Sequence, residues 1–150
     1  MIQTAWRIVK TKHAKTAFNG EGAAVAGGRW NSQGVKVVYT SGFKSLAVLE
    51  TLVHLNPSIP LSYVSFQIQF EDTFVKKITD LPAGWREMPP PRFLQKIGDE
   101  WVEEERSAVL EVPSSILPTE SNFLLNPKHP DFKKILIGKA ETFLFDPRLI

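Results

Sequence analysis

The alternation of Val64, Phe66, Ile68 and Phe70 with Ser65, Gln67 and Gln69 is the strongest constraint on how this chain folds. A period of two puts the apolar set on one side of a strand and the polar set on the other, so residues 62–70 call for a sheet with one covered and one wet face. The other extended runs are shorter. Residues 4–9 open the chain, with Trp6 and Ile8 on one side and Arg7 and Val9 on the other. Residues 35–40 are rich in β-branched side chains and stop at Ser41-Gly42. Residues 108–112, 123–125, 132–137 and 142–145 are brief strand-like segments.

Helical spacing occurs in residues 43–55, where Phe43, Leu46, Ala47, Leu49 and Val53 share a stripe, Ser41 can cap and Asn56-Pro57 stops the run. It recurs in residues 92–104, with Phe93, Leu94, Ile97 and Trp101 inward. Residues 10–28 read as a long loop with one helical turn. Residues 81–91 carry Pro82, Gly84, Pro89, Pro90 and Pro91, too many breakers for a regular element. Two or three helices against about six short strands define an α+β class, expected as a single compact domain over residues 1–150.

With no cysteine, the chain has no disulfide framework, thiolate zinc site or cysteine nucleophile. His13 and His54 lack further ligands at metal spacing, so no metal is expected. The 18 basic and 16 acidic residues nearly cancel, to +2, which gives no electrostatic case for direct nucleic-acid or membrane binding. No secretory signal or bilayer-length apolar run is visible, and a cytoplasmic protein is the expectation.

Glu50 breaks the pattern of its helix. At about 100° per residue it projects among Phe43, Leu46, Ala47 and Val53, where a carboxylate must be paired, neutral or used. Upstream, Gly27-Gly28-Arg29-Trp30-Asn31-Ser32-Gln33-Gly34 sets an arginine and an indole in glycine-rich backbone able to approach a ligand closely. Arg29 offers a rigid fork for phosphate or carboxylate, Tyr39 a stacking ring, and Glu50 a negative charge. Trp30 reads equally as core packing, Arg7 equally as a structural ion pair, and Ser114-Ser115 as a turn after Pro113. Walker, dinucleotide-glycine and nucleophile-elbow motifs are absent.

Taken together, Trp6-Arg7-Ile8, Gly28-Arg29-Trp30-Asn31-Ser32 with Gly34, Val38-Tyr39-Thr40-Ser41, Leu46-Ala47-Val48-Leu49-Glu50, Val109 to Ser114, Glu120-Ser121-Asn122 and Leu125 to Pro130 occur in an order that resembles the RES-domain toxins of RES/Xre toxin–antitoxin modules. The resemblance implies an ADP-ribosyltransferase-like fold, with short strands in a split sheet and two to three helices. It implies an enzyme that breaks the nicotinamide–ribose bond of NAD+ and depletes the cell of it, by phosphorolysis, hydrolysis or ADP-ribosyl transfer. By position it assigns Arg29, Tyr39, Glu50 and Ser114 to catalysis, with Ser115 as the alternative serine. Arg7, Arg29, Trp30, Tyr39 and Asn122 are assigned to NAD+ binding. The implied partner is a cognate Xre-type helix-turn-helix antitoxin, and a homodimer is an expectation of the resemblance alone. The competing expectation is a non-catalytic module that binds a nucleotide or braces a partner.

Overall fold

The computed structural model describes residues 1–55 and 62–149. Its strands are β1 (Ile2–Lys10), β2 (Val38–Ser41), β3 (Tyr63–Glu71), β4 (Val75–Lys77), β5 (Val109–Pro113), β6 (Ser121–Leu125), β7 (Leu136–Ile137) and β8 (Glu141–Phe143). The helices are α1 (Glu21–Ala26), α2 (Lys44–Leu52) and α3 (Arg92–Glu103), supplemented by short 3-10 turns. This is the expected α+β class. One hydrogen-bonded path, β4-β5-β6-β2-β1-β3-β7 with β8 also on β3, links all eight strands, including those expected to form a split sheet. Only β4 and β5 run parallel among the described pairs.

β1 and β3 make an unbroken antiparallel ladder, from Ile2 opposite Glu71 to Lys10 opposite Tyr63. β2 sits beside β6 along its whole length, but meets β1 only where Trp6 faces Ser41. On the β5–β6 side both sheet faces are covered. Phe123 and Leu125 join Val38, Phe66, Ile68 and Phe70 on one face, while Leu110, Val112 and Leu124 pack on the other with Trp30, Leu94 and Trp101. Double coverage explains why β6 reads as a continuous apolar run and not as an alternation.

The alternation in β3 holds from Phe66 to Phe70, with Gln67 and Gln69 exposed. Ser65, expected on the wet face, is buried because that end of the face lies under a third apolar cluster formed by Tyr63, Ile8 and Ala47 with Phe143 and Phe145. α2 departs from expectation at both ends. Its N-cap is Phe43, without a side-chain cap, and Ser41 remains in β2. Phe43 and Val53 flank a nine-residue helix and are each 60% exposed, so the inward stripe shrinks to Leu46 and Ala47. The expected stop at Asn56-Pro57 lies outside the described residues.

Residues 132–137 are not one strand. Pro130 starts a 3-10 turn through Lys134, His129 accepts from the Asp131 N–H, and only Leu136–Ile137 pairs with β3. Residues 10–28 hold more structure than a loop, a 3-10 turn (Thr11–Thr16) and α1. No described helix is long and apolar enough to cross a membrane.

Candidate active site

The glycine loop between α1 and β2 is clamped from two sides. On the sheet side, Asn31 is fully buried and donates through Nδ2 to the carbonyls of Ala23 and Val35, at 2.9 and 3.1 Å. Its Oδ1 accepts the Tyr39 hydroxyl at 2.5 Å, and the same hydroxyl accepts the Trp30 N–H at 3.1 Å. A Cβ on Gly28 would lie 2.8 Å from that hydroxyl, so this close approach requires glycine. On the other side, α3 supplies Gln95 Nε2 to the Gly28 carbonyl at 2.9 Å. Asp99 accepts both the Ser32 N–H and its hydroxyl, at 2.9 and 2.5 Å. Between them Gly98 lets the Trp30 carbonyl press onto the helix, where any Cβ would stand 1.7 Å from it.

Glu50 is half-buried and belongs to a second polar cluster. Ser114, one residue past β5 and fully buried, donates its hydroxyl to Glu50 Oε1 at 2.8 Å. Asn122 Nδ2 of β6 donates to the same oxygen at 3.1 Å. The amide's orientation is fixed in turn, because Ser41 donates to Asn122 Oδ1 at 2.8 Å. Ser114 Oγ also accepts the N–H groups of Ile116 and Leu117, both at 3.1 Å, which leaves its proton to point at the carboxylate. Among the described residues Oε2 accepts no hydrogen bond. Glu50 therefore holds one oxygen rigidly and presents the other.

Arg29 faces the same region: burial lowers its pKa, and the nearby charges of Glu50 and Tyr39 work against this by favouring the protonated form. Its Nη1 donates to the carbonyls of Trp85 and Glu87 at 3.0 and 3.1 Å, while Nη2 faces Met88 Sδ. Tyr39 is also perturbed. Burial raises its hydroxyl above the ordinary tyrosine range, a nearby Asp99 adds to this, and the Trp30 N–H and Arg29 oppose it.

The structure thus brings Ser114 and Asn122 into direct contact with Glu50 and leaves Arg29 near both Glu50 and Tyr39. The serine whose hydroxyl bonds Glu50 is Ser114, while the backbone carbonyl of Ser115 accepts from Arg86 Nε at 2.9 Å. Two residues expected at the ligand are engaged within the protein itself. Trp30 is only 2% exposed and packs with Val37, Leu94 and Trp101, so its indole offers no ligand face. Arg7 spends its fork on backbone, Nε on the Ala17 carbonyl at 2.7 Å and Nη1 on the Tyr39 carbonyl at 2.8 Å. Burial lowers its pKa to about 10. Sequence reasoning missed Gln95, Gly98 and Asp99, although a glycine inside a helix is a signal of close backbone approach.

A family model for the RES domain matches residues 4–146. The chain belongs to the RES domain family. Among RES relatives, "Toxin Res" of Yersinia enterocolitica is 43% identical over 96% of this chain and 97% of its own length. "Prs ADP-ribosylating toxin" of Sphingobium sp. is 39% identical over 100% of this chain and 98% of its own. The RES fold also superposes on a chain of the crystal structure of the M. tuberculosis MbcT-MbcA toxin-antitoxin complex, with a TM-score of 0.76 over 99% of this chain and 87% of that one. At 15% identity that likeness concerns the fold alone.

Proposed function

We propose that this chain is the toxin of a toxin–antitoxin pair, one RES domain throughout residues 1–150, and that it acts in the cytoplasm by breaking the nicotinamide–ribose bond of NAD+. The observation that carries this reading is the state of Glu50, a carboxylate with one oxygen pinned by Ser114 and Asn122 and the other unpartnered among the described residues. When the bond between ribose C1′ and the pyridinium nitrogen breaks, its electron pair leaves with neutral nicotinamide and the ribose becomes an oxocarbenium ion. A fixed carboxylate stabilises that charge as it develops, without reorganising at the moment of reaction.

The same reading assigns the other roles. Arg29 holds the pyrophosphate or the adjoining ribose, and the Tyr39 ring lines the nicotinamide end. Ser114 and Asn122 are positioning residues that aim Glu50, while Arg7 ties β1 to the backbone of Tyr39. The cation is then captured by water, which loses its proton to solvent, by phosphate, or by a protein side chain. Transfer to protein accords with the name of the Sphingobium relative. No step assigned to these residues calls for a metal. The partner proposed is an Xre-type helix-turn-helix antitoxin, in keeping with the family resemblance and with the complex that supplies the structural neighbour.

The test is nicotinamide release from NAD+ by purified protein, with and without phosphate, beside Glu50→Ala. Release that vanishes in the variant supports the reading. A folded wild type that releases none under either condition rules it out in favour of a non-catalytic binding module. In cells, expression should arrest growth, and Glu50→Ala or Arg29→Ala should relieve the arrest while the protein accumulates.

A further inference from the structure

The proline-rich segment after β4 crosses the site. Trp85 is anchored in the apolar cluster with Leu94 and Trp101, and a tight turn follows in which the Gly84 carbonyl accepts the Glu87 N–H at 3.1 Å. Gly84 has φ +86°, which suits glycine at this bend. Arg29 grips this turn by the carbonyls of Trp85 and Glu87, the residues on either side of Arg86. Arg86 reaches the opposite way, to the carbonyl of Ser115, next to the serine that holds Glu50. The turn is therefore pinned at Arg29 on one side and beside Ser114 on the other, with an exposed guanidinium at its crest.

Two cations flank this turn, with Glu50 the carboxylate near Arg29. Among the described residues no carboxylate forms an ion pair with either Arg29 or Arg86. Among the described residues both are hydrogen-bonded to neutral atoms and both keep donors to spare. Among the described residues Arg86 uses Nε alone, which leaves its terminal Nη1 and Nη2 groups for a ligand. Arg29 keeps Nε and part of Nη2. A pyrophosphate offers many acceptor oxygens at a spacing that planar guanidinium forks match, and two arginines sharing it relieve each other's repulsion.

We propose that Arg86 is a second anion ligand of the site, taking the pyrophosphate of the nucleotide together with Arg29, so that the turn 84–87 forms one wall of the substrate's binding cleft. This rests on the reading of NAD+ as substrate. It adds a residue outside the motifs that mark the family resemblance, on a segment that the sequence presents only as a breaker-rich loop.

The experiment compares the affinities of ADP and adenosine, by competition against a fluorescent ADP analogue, in wild type, Arg86→Ala and Arg86→Lys, with thermal midpoints recorded for all three. Arg86→Ala should weaken ADP by about tenfold and leave adenosine unchanged, with Arg86→Lys between, since a point charge replaces the fork without its geometry. The thermal midpoint should hold, because the only bond lost is an exposed one to a carbonyl. Equal affinity of wild type and Arg86→Ala for ADP overturns the proposal. So does an equal loss for ADP and adenosine, which marks Arg86 as a brace of the turn. A wild type that binds ADP through Arg86 yet releases no nicotinamide would defeat the proposed reaction and leave the anion site standing.

Discussion

Ser114 and Glu50 are joined by a hydrogen bond of 2.8 Å in which the serine proton has one direction to go, since two backbone N–H groups already occupy the acceptor side of the hydroxyl. In the proposed reaction the serine is a positioning residue, and it is fully buried. Ser114→Ala removes the donor to Glu50 and leaves the Ile116 and Leu117 N–H groups without their acceptor, at a cost of about 1–3 kcal/mol. Urea unfolding should show that loss, and nicotinamide release should fall mainly in kcat. A variant as active as wild type would refute the role.

Glu50→Gln separates charge from shape. The amide oxygen can still accept from Ser114 and Asn122, so stability should change by no more than about 1 kcal/mol, as expected where burial is partial. Turnover should drop by roughly 100-fold or more, because the amide cannot stabilise a cation as a carboxylate does. Rates of nicotinamide release and thermal midpoints, read on the same preparations, check both halves.

Gly98→Ala tests whether α3 sets the glycine loop. The added methyl would meet the Trp30 carbonyl at 1.7 Å, a backbone atom that cannot swing aside. The helix and loop must separate, for about 2–3 kcal/mol of overpacking strain. Because the loop carries Arg29, KM for NAD+ should rise. Retained stability with unchanged KM would show that the contact is slack.

The two tyrosines give a pH signature. Burial raises the hydroxyls of both Tyr39 and Tyr63 above their ordinary value. The folded chain thus keeps protons that the unfolded chain releases near pH 10 or about that value, so this contribution is whole below it and declines as pH climbs toward the folded values. Absorbance at about 295 nm should show little tyrosinate in the native protein near pH 10, then a cooperative rise as it unfolds. Independent titration of Tyr39 near the ordinary value would contradict the burial of its hydroxyl.

Glu50 was legible because a lone carboxylate among apolar helix positions has few explanations, and its neighbours in sequence suffice to expose it. Its partners were legible only through family resemblance. Ser114 and Asn122 lie 64 and 72 residues away, and a serine after a proline has the look of any turn. The clamp on the glycine loop was hidden for another reason. Gln95 and Asp99 are polar residues on a helix, indistinguishable by pattern from a solvated face, and only Gly98 between them hinted at contact. Trp30 could not be placed from its neighbours, because an indole beside a glycine serves a core or a ligand equally well. β4 escaped notice as three residues, two of them lysines, whose pairing with β5 is a tertiary fact.

The β1–β2 junction carries a mechanical meaning. Its ladder is a single pairing, Trp6 with Ser41, yet the two parts of the sheet must stay in register there. Arg7 crosses the junction to the Tyr39 carbonyl, and α2, seated over β1 and β3 by Ala47, reaches across to β5 and β6 through Glu50. The carboxylate is thus also a rivet. A pull that opens this seam also strains the carboxylate's own bonds, so under the proposed reaction a chain with its halves ajar is disarmed as well as loosened.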